Sequence, residues 1–184
     1  MPAALLLMDF QNGVVERFGG SSEVVRTART ALEAARSHGV PVVFVRVGFR
    51  DGAPEASPRN KAFSAIAERG DLGEATPATQ VVNDLAPGPG ETIVVKRRVS
   101  AFTGSDLQVV LRAAGVDHLV LGGIATSGVV LSTVREAADR DYRLTVLADA
   151  CRDGDPEVHR VLTEKVFPRQ AEVTTVDAWV SGLG

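Results

Sequence analysis

Residues 117–149 read DHLVLGGIATSGVVLSTVREAADRDYRLTVLAD. A short apolar run at 118–121 meets two glycines, Gly122 and Gly123, and then Ile124-Ala125-Thr126-Ser127-Gly128. Val130, Val134, Ala137 and Ala138 follow at helical spacing, and a second apolar run at 144–148 stops at Asp149. Strand, tight turn, helix, strand is the pattern of a parallel βαβ unit. Thr126 or Ser127 stands where a helix cap is expected, so the turn aims backbone N–H groups above the first strand. Open parallel sheets bind ligands beyond the carboxyl ends of their strands. Residues 123–129 are therefore expected to form part of the floor of any site.

The same alternation extends in both directions. Residues 3–8 form a continuous apolar run that stops at Asp9, the mark of a buried first strand. Ser21 or Ser22 is expected to cap a helix over about 23–38, with Val24, Ala28, Leu32 and Ala35 on one face and Gly39 as its stop. Residues 40–47 read as a second strand. Residues 48–79 mix Gly, Pro and charge, with a short helix expected near 61–68. Ordinary loops in compact domains are shorter, so this one reads as functional. A third strand at 92–95 ends at Lys96, and Ser105 is expected to cap a helix from Asp106 to about Ala114. After the central unit come a helix from Asp155-Pro156 to about Val166, a short sixth strand at 172–174 and a last helical turn or two at 176–181.

This order implies an α/β fold: a three-layer Rossmann-like sandwich with a parallel sheet of about six strands and helices on both faces. All 184 residues fit one domain, 1–184, large enough for a substantial core. A net charge of −3 without a basic block argues against nucleic acid as the main partner. The first apolar run is too short to span a membrane and lacks the basic start of a signal peptide. The single cysteine, Cys151, excludes an intramolecular disulfide and a cysteine-rich metal site. A cytoplasmic protein is the expectation, with a small molecule as its partner and no membrane.

Asp9 and Lys96 stand at strand ends beside the 124–129 turn. A charge after a strand commonly just meets water. An Asp and a Lys at neighbouring strand ends can instead form an ion pair that keeps the carboxylate charged while burial pushes its pKa the other way.

Three stretches in order carry a resemblance: LLLMDFQNG at 5–13, VVKRRVSAF at 94–102, and the segment from Gly122-Gly123 to Asp149-Ala150-Cys151. Over nearly its whole length the chain resembles the isochorismatase-like hydrolase superfamily, which includes nicotinamidases, other cysteine amidohydrolases and isochorismatases. The resemblance implies that Asp9 is the acid/base and Lys96 its partner. It places the nucleophile of the cysteine hydrolases six residues after Gly123, at Val129, which has neither a lone pair nor a proton to offer. Cys151 matches a cysteine found after the next strand in many members, and a lone buried cysteine is usually a small hydrophobe. Ser127 and Thr126 lie two and three residues before the nucleophile position and are more simply helix caps, while Ser132 and Thr133 fall on the helix itself.

Isochorismatases lack the cysteine too and use the aspartate in direct hydrolysis of a vinyl ether, which is general acid catalysis without a covalent intermediate. Their substrates carry carboxylates, so an arginine is sought among Arg46, Arg50, Arg59, Arg97 and Arg98. Of these, Arg50 and Arg59 sit on the long loop. The resemblance further implies a cis peptide between Ile124 and Ala125. The N–H groups of Ala125 and Val129 would then face one pocket with Thr126 and Ser127 nearby. No cofactor is expected. Metal is not expected either, because residues 47–75 contain no histidine and His38, His118 and His159 are far apart in the chain. Self-association as a homodimer or homotetramer is implied by the family alone. Two readings stay open, a small-molecule hydrolase without a covalent thiol and an inactive ligand-binding relative.

Overall fold

A computed structural model describes residues 2–20, 22–70 and 72–184. Strand β1 (Ala3–Met8) is the spine. Its side chains alternate as a pleated strand requires. Leu5 and Leu7 enter one core, and Leu6 and Met8 enter the other. Strands β2 (Val42–Val47), β3 (Thr92–Lys96), β4 (His118–Ile124), β5 (Arg143–Arg152) and β6 (Glu172–Thr174) complete a six-stranded sheet in the order β3-β2-β1-β4-β5-β6. Every pairing is parallel. The chain steps outward from β1 to β3, returns to the centre for β4, and steps outward again. The order therefore reverses between β1 and β4, and that reversal opens a crevice at their carboxyl ends.

Helices cover both faces. On one lies α2 (Ser22–Ser37), whose Val24, Ala28, Leu32 and Ala35 are all buried against β1 and β2. Gly39 ends this helix with φ +67, a left-handed turn that glycine enters without a Cβ clash. Of the two serines expected to cap it, Ser21 lies outside the described residues and Ser22 is already the first helical residue. The last helix, α7 (Val176–Ser181), shares this face. On the other face lie α4 (Leu107–Ala113), α5 (Leu131–Ala138) and α6 (Pro156–Val161), the last continuing irregularly to Arg169. Asp155 caps α6 by accepting from the Glu157 N–H at 2.8 Å. Ser105 accepts from the Leu107 N–H at 3.2 Å. Among the described residues no helix is long and apolar enough to cross a membrane.

Three local expectations need correction. Neither Thr126 nor Ser127 caps the helix after β4. Residues 126–130 form an irregular turn with no side-chain cap, kinked at Gly128 (φ −98, ψ −105). The Ser127 N–H is instead taken by the Asp153 carboxylate at 2.7 Å, an acceptor from a distant segment that sequence spacing does not reveal. Strand β5 does not stop near Asp149 but runs to Arg152, because Cys151 and Arg152 pair with Gly123 and Ile124 beyond a register shift at which β5 carries the extra residues. The segment after Asp9 also holds a helix that apolar spacing did not mark, α1 (Asn12–Arg17). It is too short for a 3.6-residue period to repeat convincingly.

The centre of the sheet is tight. A Cβ on Gly123 would lie 2.8 Å from the Met8 carbonyl oxygen and 3.3 Å from Val129 Cγ1, so only glycine lets β4 and β1 approach here. Just beyond β1, Gln11 is fully buried and stitches three segments together. Its Nε2 donates to the carbonyls of Val47 (2.8 Å) and Thr79 (3.0 Å), and its Oε1 accepts from the Val47 N–H (2.9 Å). Gln11→Ala is expected to destabilise the protein by about 2 kcal/mol, since it strands buried backbone groups with no partner. Urea unfolding checks this, and a loss well below that size would mean that water replaces the amide.

Candidate active site

The crevice at the sheet reversal is a cavity of about 520 Å³. Its floor is Asp9 after β1, Lys96 at the end of β3, and Ile124, Ala125, Gly128 and Val129 after β4. Its walls come from α1, from Val99, and from the 48–79 loop through Phe63, Ile66, Leu72 and Ala78. That loop carries a third helix, α3 (Lys61–Arg69), capped by Asn60.

Asp9 takes a left-handed backbone (φ +59), a region that Asp enters more readily than most residues. Its N–H still pairs with the Val45 carbonyl at 2.8 Å, so the strand holds up to the residue that leaves it. Lys96 pairs in register with Val47 and spans the end of β2 to reach Asp9. Lys96 Nζ lies 3.0 Å from Asp9 Oδ2 and also donates to the Arg98 carbonyl at 3.0 Å. Lys96 is 2% exposed and Asp9 6%. Asp9 Oδ1 is buried with no hydrogen-bond partner. Burial raises the Asp9 pKa above the ordinary carboxylate value, and the charge and hydrogen bond of Lys96 offset this only in part. The site thus holds a carboxyl that retains its proton more readily than a solvated one, beside a fixed cation.

The 124–129 floor also has defined geometry. The Ile124–Ala125 peptide is cis. Val129 is buried, packs in the main core and borders the cavity. Thr126 is fully buried and does not line the cavity; its Oγ1 shares a hydrogen bond of 2.8 Å with His159 Nδ1. Ser127 is exposed and turned toward Asp153. Cys151 is buried in the core behind the floor, where loss of solvent pushes its thiol up to about 12. A thiol in that state stays protonated at neutral pH and is a poor nucleophile. Among the described residues, the cavity lining contains no side-chain hydroxyl, thiol or imidazole.

The arginines sort differently from expectation. Arg50 faces a neighbouring groove and pairs with Glu55 at 2.5 Å. Arg59 lines neither space. Arg46 donates to the Glu74 carbonyl at 2.9 Å and so holds the long loop. Arg97 and Arg98 are likewise committed to that loop. The arginine at the cavity rim is Arg17 on α1, exposed beside Glu16. It was missed because it lies in the helix that apolar spacing did not mark. The structure therefore brings Asp9, Lys96, Ala125 and Val129 together and leaves Thr126, Ser127 and Arg50 outside. The three histidines remain dispersed: His38 bonds within α2's end, His118 meets Thr145 and His159 meets Thr126.

Comparison with known proteins bears on the family and the fold. The profile of the isochorismatase domain matches residues 3–178. The chain is 33% identical to the ureidoacrylate amidohydrolase RutB of Stutzerimonas stutzeri over 98% of its own length and 79% of that protein. A cysteine hydrolase from Pseudomonas syringae pv. phaseolicola superposes with a TM-score of 0.90 at 25% identity, covering 99% of this chain and 92% of that one. The N-carbamoylsarcosine amidase of Thermoplasma acidophilum superposes with a TM-score of 0.78 at 28% identity, covering 96% and 98%.

Proposed function

The chain belongs to the isochorismatase family, and from that premise we propose that it hydrolyses a small molecule through Asp9 and Lys96 without a covalent cysteine intermediate. The observation that carries this reading is the buried Asp9–Lys96 pair at 3.0 Å, in a cavity whose described lining offers no thiol or hydroxyl. Asp9 gives a proton to the substrate, to the departing nitrogen of an amide or to the vinyl carbon of a vinyl ether. Water rather than a side chain attacks the activated carbon, and the proton that this water sheds returns to the Asp9 carboxylate. Lys96 stabilises the carboxylate left behind. The N–H groups of Ala125 and Val129 hold the substrate oxygen on which charge develops, as an oxyanion hole does. The apolar walls exclude water around this polar floor, which strengthens each of these interactions.

The activities that name two relatives, a ureidoacrylate amidohydrolase and an N-carbamoylsarcosine amidase, direct the search toward amides and carbamoyl compounds. The absent thiol adds vinyl ethers, whose hydrolysis needs only a proton and water. The test is a turnover screen of the purified chain against these three classes. Turnover of one class is expected. The resemblance supports a second reading, an inactive binding relative, because it implies the family's nucleophile position at Val129, a buried residue. Binding of a screened compound, seen as a thermal shift with no product formed, would select it.

Val129→Cys probes the floor directly. Weak activity at most is expected, because a nucleophile must be held within about 3–3.5 Å of its target to gain from proximity. Slow acylation by an activated ester such as p-nitrophenyl acetate should appear as one added acetyl group in the intact mass. The parent chain, whose only thiol is buried, should stay unmodified on cysteine. Rapid acylation and amide turnover by the variant would mean that the floor is still fully built for thiol chemistry.

A further inference from the structure

The outer wall of the cavity is packed apart from the rest of the molecule. Phe49, Phe63 and Val47, with Ala53, Ile66 and Leu72, form a small cluster separate from the two main cores. Phe49 and Phe63 meet edge to face at 5.7 Å. Behind this cluster lies an open groove of about 590 Å³, also lined by Ile66 and Leu72. Ile66 and Leu72 therefore have open space on two sides, and a wall with so little packing opens at low cost.

Backbone bonds tie one edge of the wall to the segment after β2, from the Phe49 N–H to the Leu72 carbonyl (2.7 Å) and from the Glu74 N–H to the Phe49 carbonyl (2.9 Å). Charge ties the other edge to the segment after β3. Glu55 Oε1 lies 3.4 Å from Arg97 Nε and accepts from Arg50 at 2.5 Å. The Glu55 carbonyl accepts from Arg98 Nη2 at 2.9 Å, and the Arg98 guanidinium lies 5.7 Å over the Phe63 ring. Arg97 also donates to the Gly48 carbonyl at 2.5 Å and pairs with Glu74. These two arginines directly follow Lys96, and the Arg98 carbonyl is itself an acceptor for Lys96 Nζ. The floor lysine and the wall thus hang on three consecutive residues.

We infer that Glu55 is a positioning residue: by gripping Arg97 and Arg98 it latches the wall carrying Phe63, Ile66 and Leu72 down over Lys96, and so sets how far the cavity stands open. The inference rests on the proposed function only in taking this cavity as the site. Glu55 touches neither Asp9 nor Lys96 and does not line the cavity. Its partners hold its carboxyl in the charged form: burial alone would raise its pKa, but backbone hydrogen bonds, Arg50 and Arg97 together lower it. Glu55→Gln keeps the shape and the backbone acceptor and removes the charge that faces Arg97.

The test needs no substrate. Lys96 is almost fully buried and Lys165 is exposed on the far helical segment, so Lys165 is an internal reference. The folded, full-length chain is labelled with a bulky amine-reactive succinimidyl ester, and each lysine is quantified by mass spectrometry. In Glu55→Gln, labelling of Lys96 relative to Lys165 should rise about three- to tenfold, the scale on which loss of one partly screened ion pair shifts a local opening. Amide hydrogen exchange over 61–69 should quicken while that of the central strands stays unchanged. Glu55→Asp, which restores the charge with a shorter reach, should lie between parent and Gln. An unchanged Lys96-to-Lys165 ratio in both variants would overturn the latch, whether or not the parent proves to be a hydrolase. General acceleration at Lys165 and across the strands would also count against it, because the role would then be global stability.

Discussion

Asp9→Asn is expected to lower kcat/KM by about 10²–10⁴-fold, the range that a positioned proton-transfer group supplies. The amide matches the carboxyl in size, its oxygen can still accept from Lys96, and Asn tolerates the left-handed backbone found there. What it loses is the transferable proton, so the fold should survive and the chemistry should not. The variant also isolates a pH effect on stability. Because the folded-state pKa of Asp9 is raised, the folded protein binds more protons than the unfolded chain between the ordinary Asp value of about 3.9 and the raised value. The contribution is therefore fully present below the unfolded value and is lost as pH rises through the folded one. Urea unfolding across this window should show the parent losing stability with rising pH relative to Asp9→Asn. Parallel curves would mean that the carboxyl is not perturbed. Equal turnover by parent and variant would remove Asp9 from the mechanism altogether.

Lys96→Met should be the most destabilising single change at the site. It leaves the Asp9 carboxylate buried, with Oδ1 already lacking a partner and Oδ2 losing the Lys96 ammonium. Breaking a buried pair from one side typically costs about 3–5 kcal/mol, because the surviving charge stays uncompensated. The carboxyl can escape by taking up a proton, so the loss should shrink as pH falls. The double variant Asp9→Asn, Lys96→Met should recover much of the stability, since no isolated charge then remains. Denaturant unfolding of all four proteins at neutral and mildly acidic pH measures this. A loss under about 1 kcal/mol for Lys96→Met would place the pair in the class of solvated surface bridges, contrary to its burial.

In the proposed mechanism Glu55, Asp9 and Lys96 divide the work of the cavity between them. The latch sets access and the buried pair sets proton affinity. They adjoin in the chain because Arg97 and Arg98, which grip the wall, continue the strand that ends in Lys96. A substitution in the latch should therefore alter access first and, by admitting water to the floor, also bring the Asp9 pKa back toward the ordinary carboxylate value, since burial is the main cause of its rise.

The strands β1 to β5 and their order of appearance could be read from the chain because each centres on a short apolar run bounded by glycine, proline or charge, whereas β6 holds a single apolar residue, Val173. A parallel sheet buried on both faces leaves no other place for such runs. Asp9 and Lys96 were legible for the same reason: each is the first charge after a run, so each must stand where a strand leaves the core. Gly122 and Gly123 read as a tight turn, whereas β4 runs through both to Ile124, and the closeness of Gly123 to Met8 was not legible either. Tertiary structure alone decided the rest. Which strands are neighbours, and hence that Lys96 reaches across the end of β2 to Asp9 at 3.0 Å, depends on pairing between segments 87 residues apart in number. The same holds for Gln11, whose partners Val47 and Thr79 are 36 and 68 residues away, and for Ser127, whose N–H is claimed by Asp153. It holds as well for the arginines, where partners 49 and 43 residues away commit Arg97 and Arg98 to the loop and Arg17 is left at the rim. Hydrophobic period and turn chemistry are local properties that a sequence carries at each position, whereas the partner of a buried polar group is set by the fold that brings distant segments together.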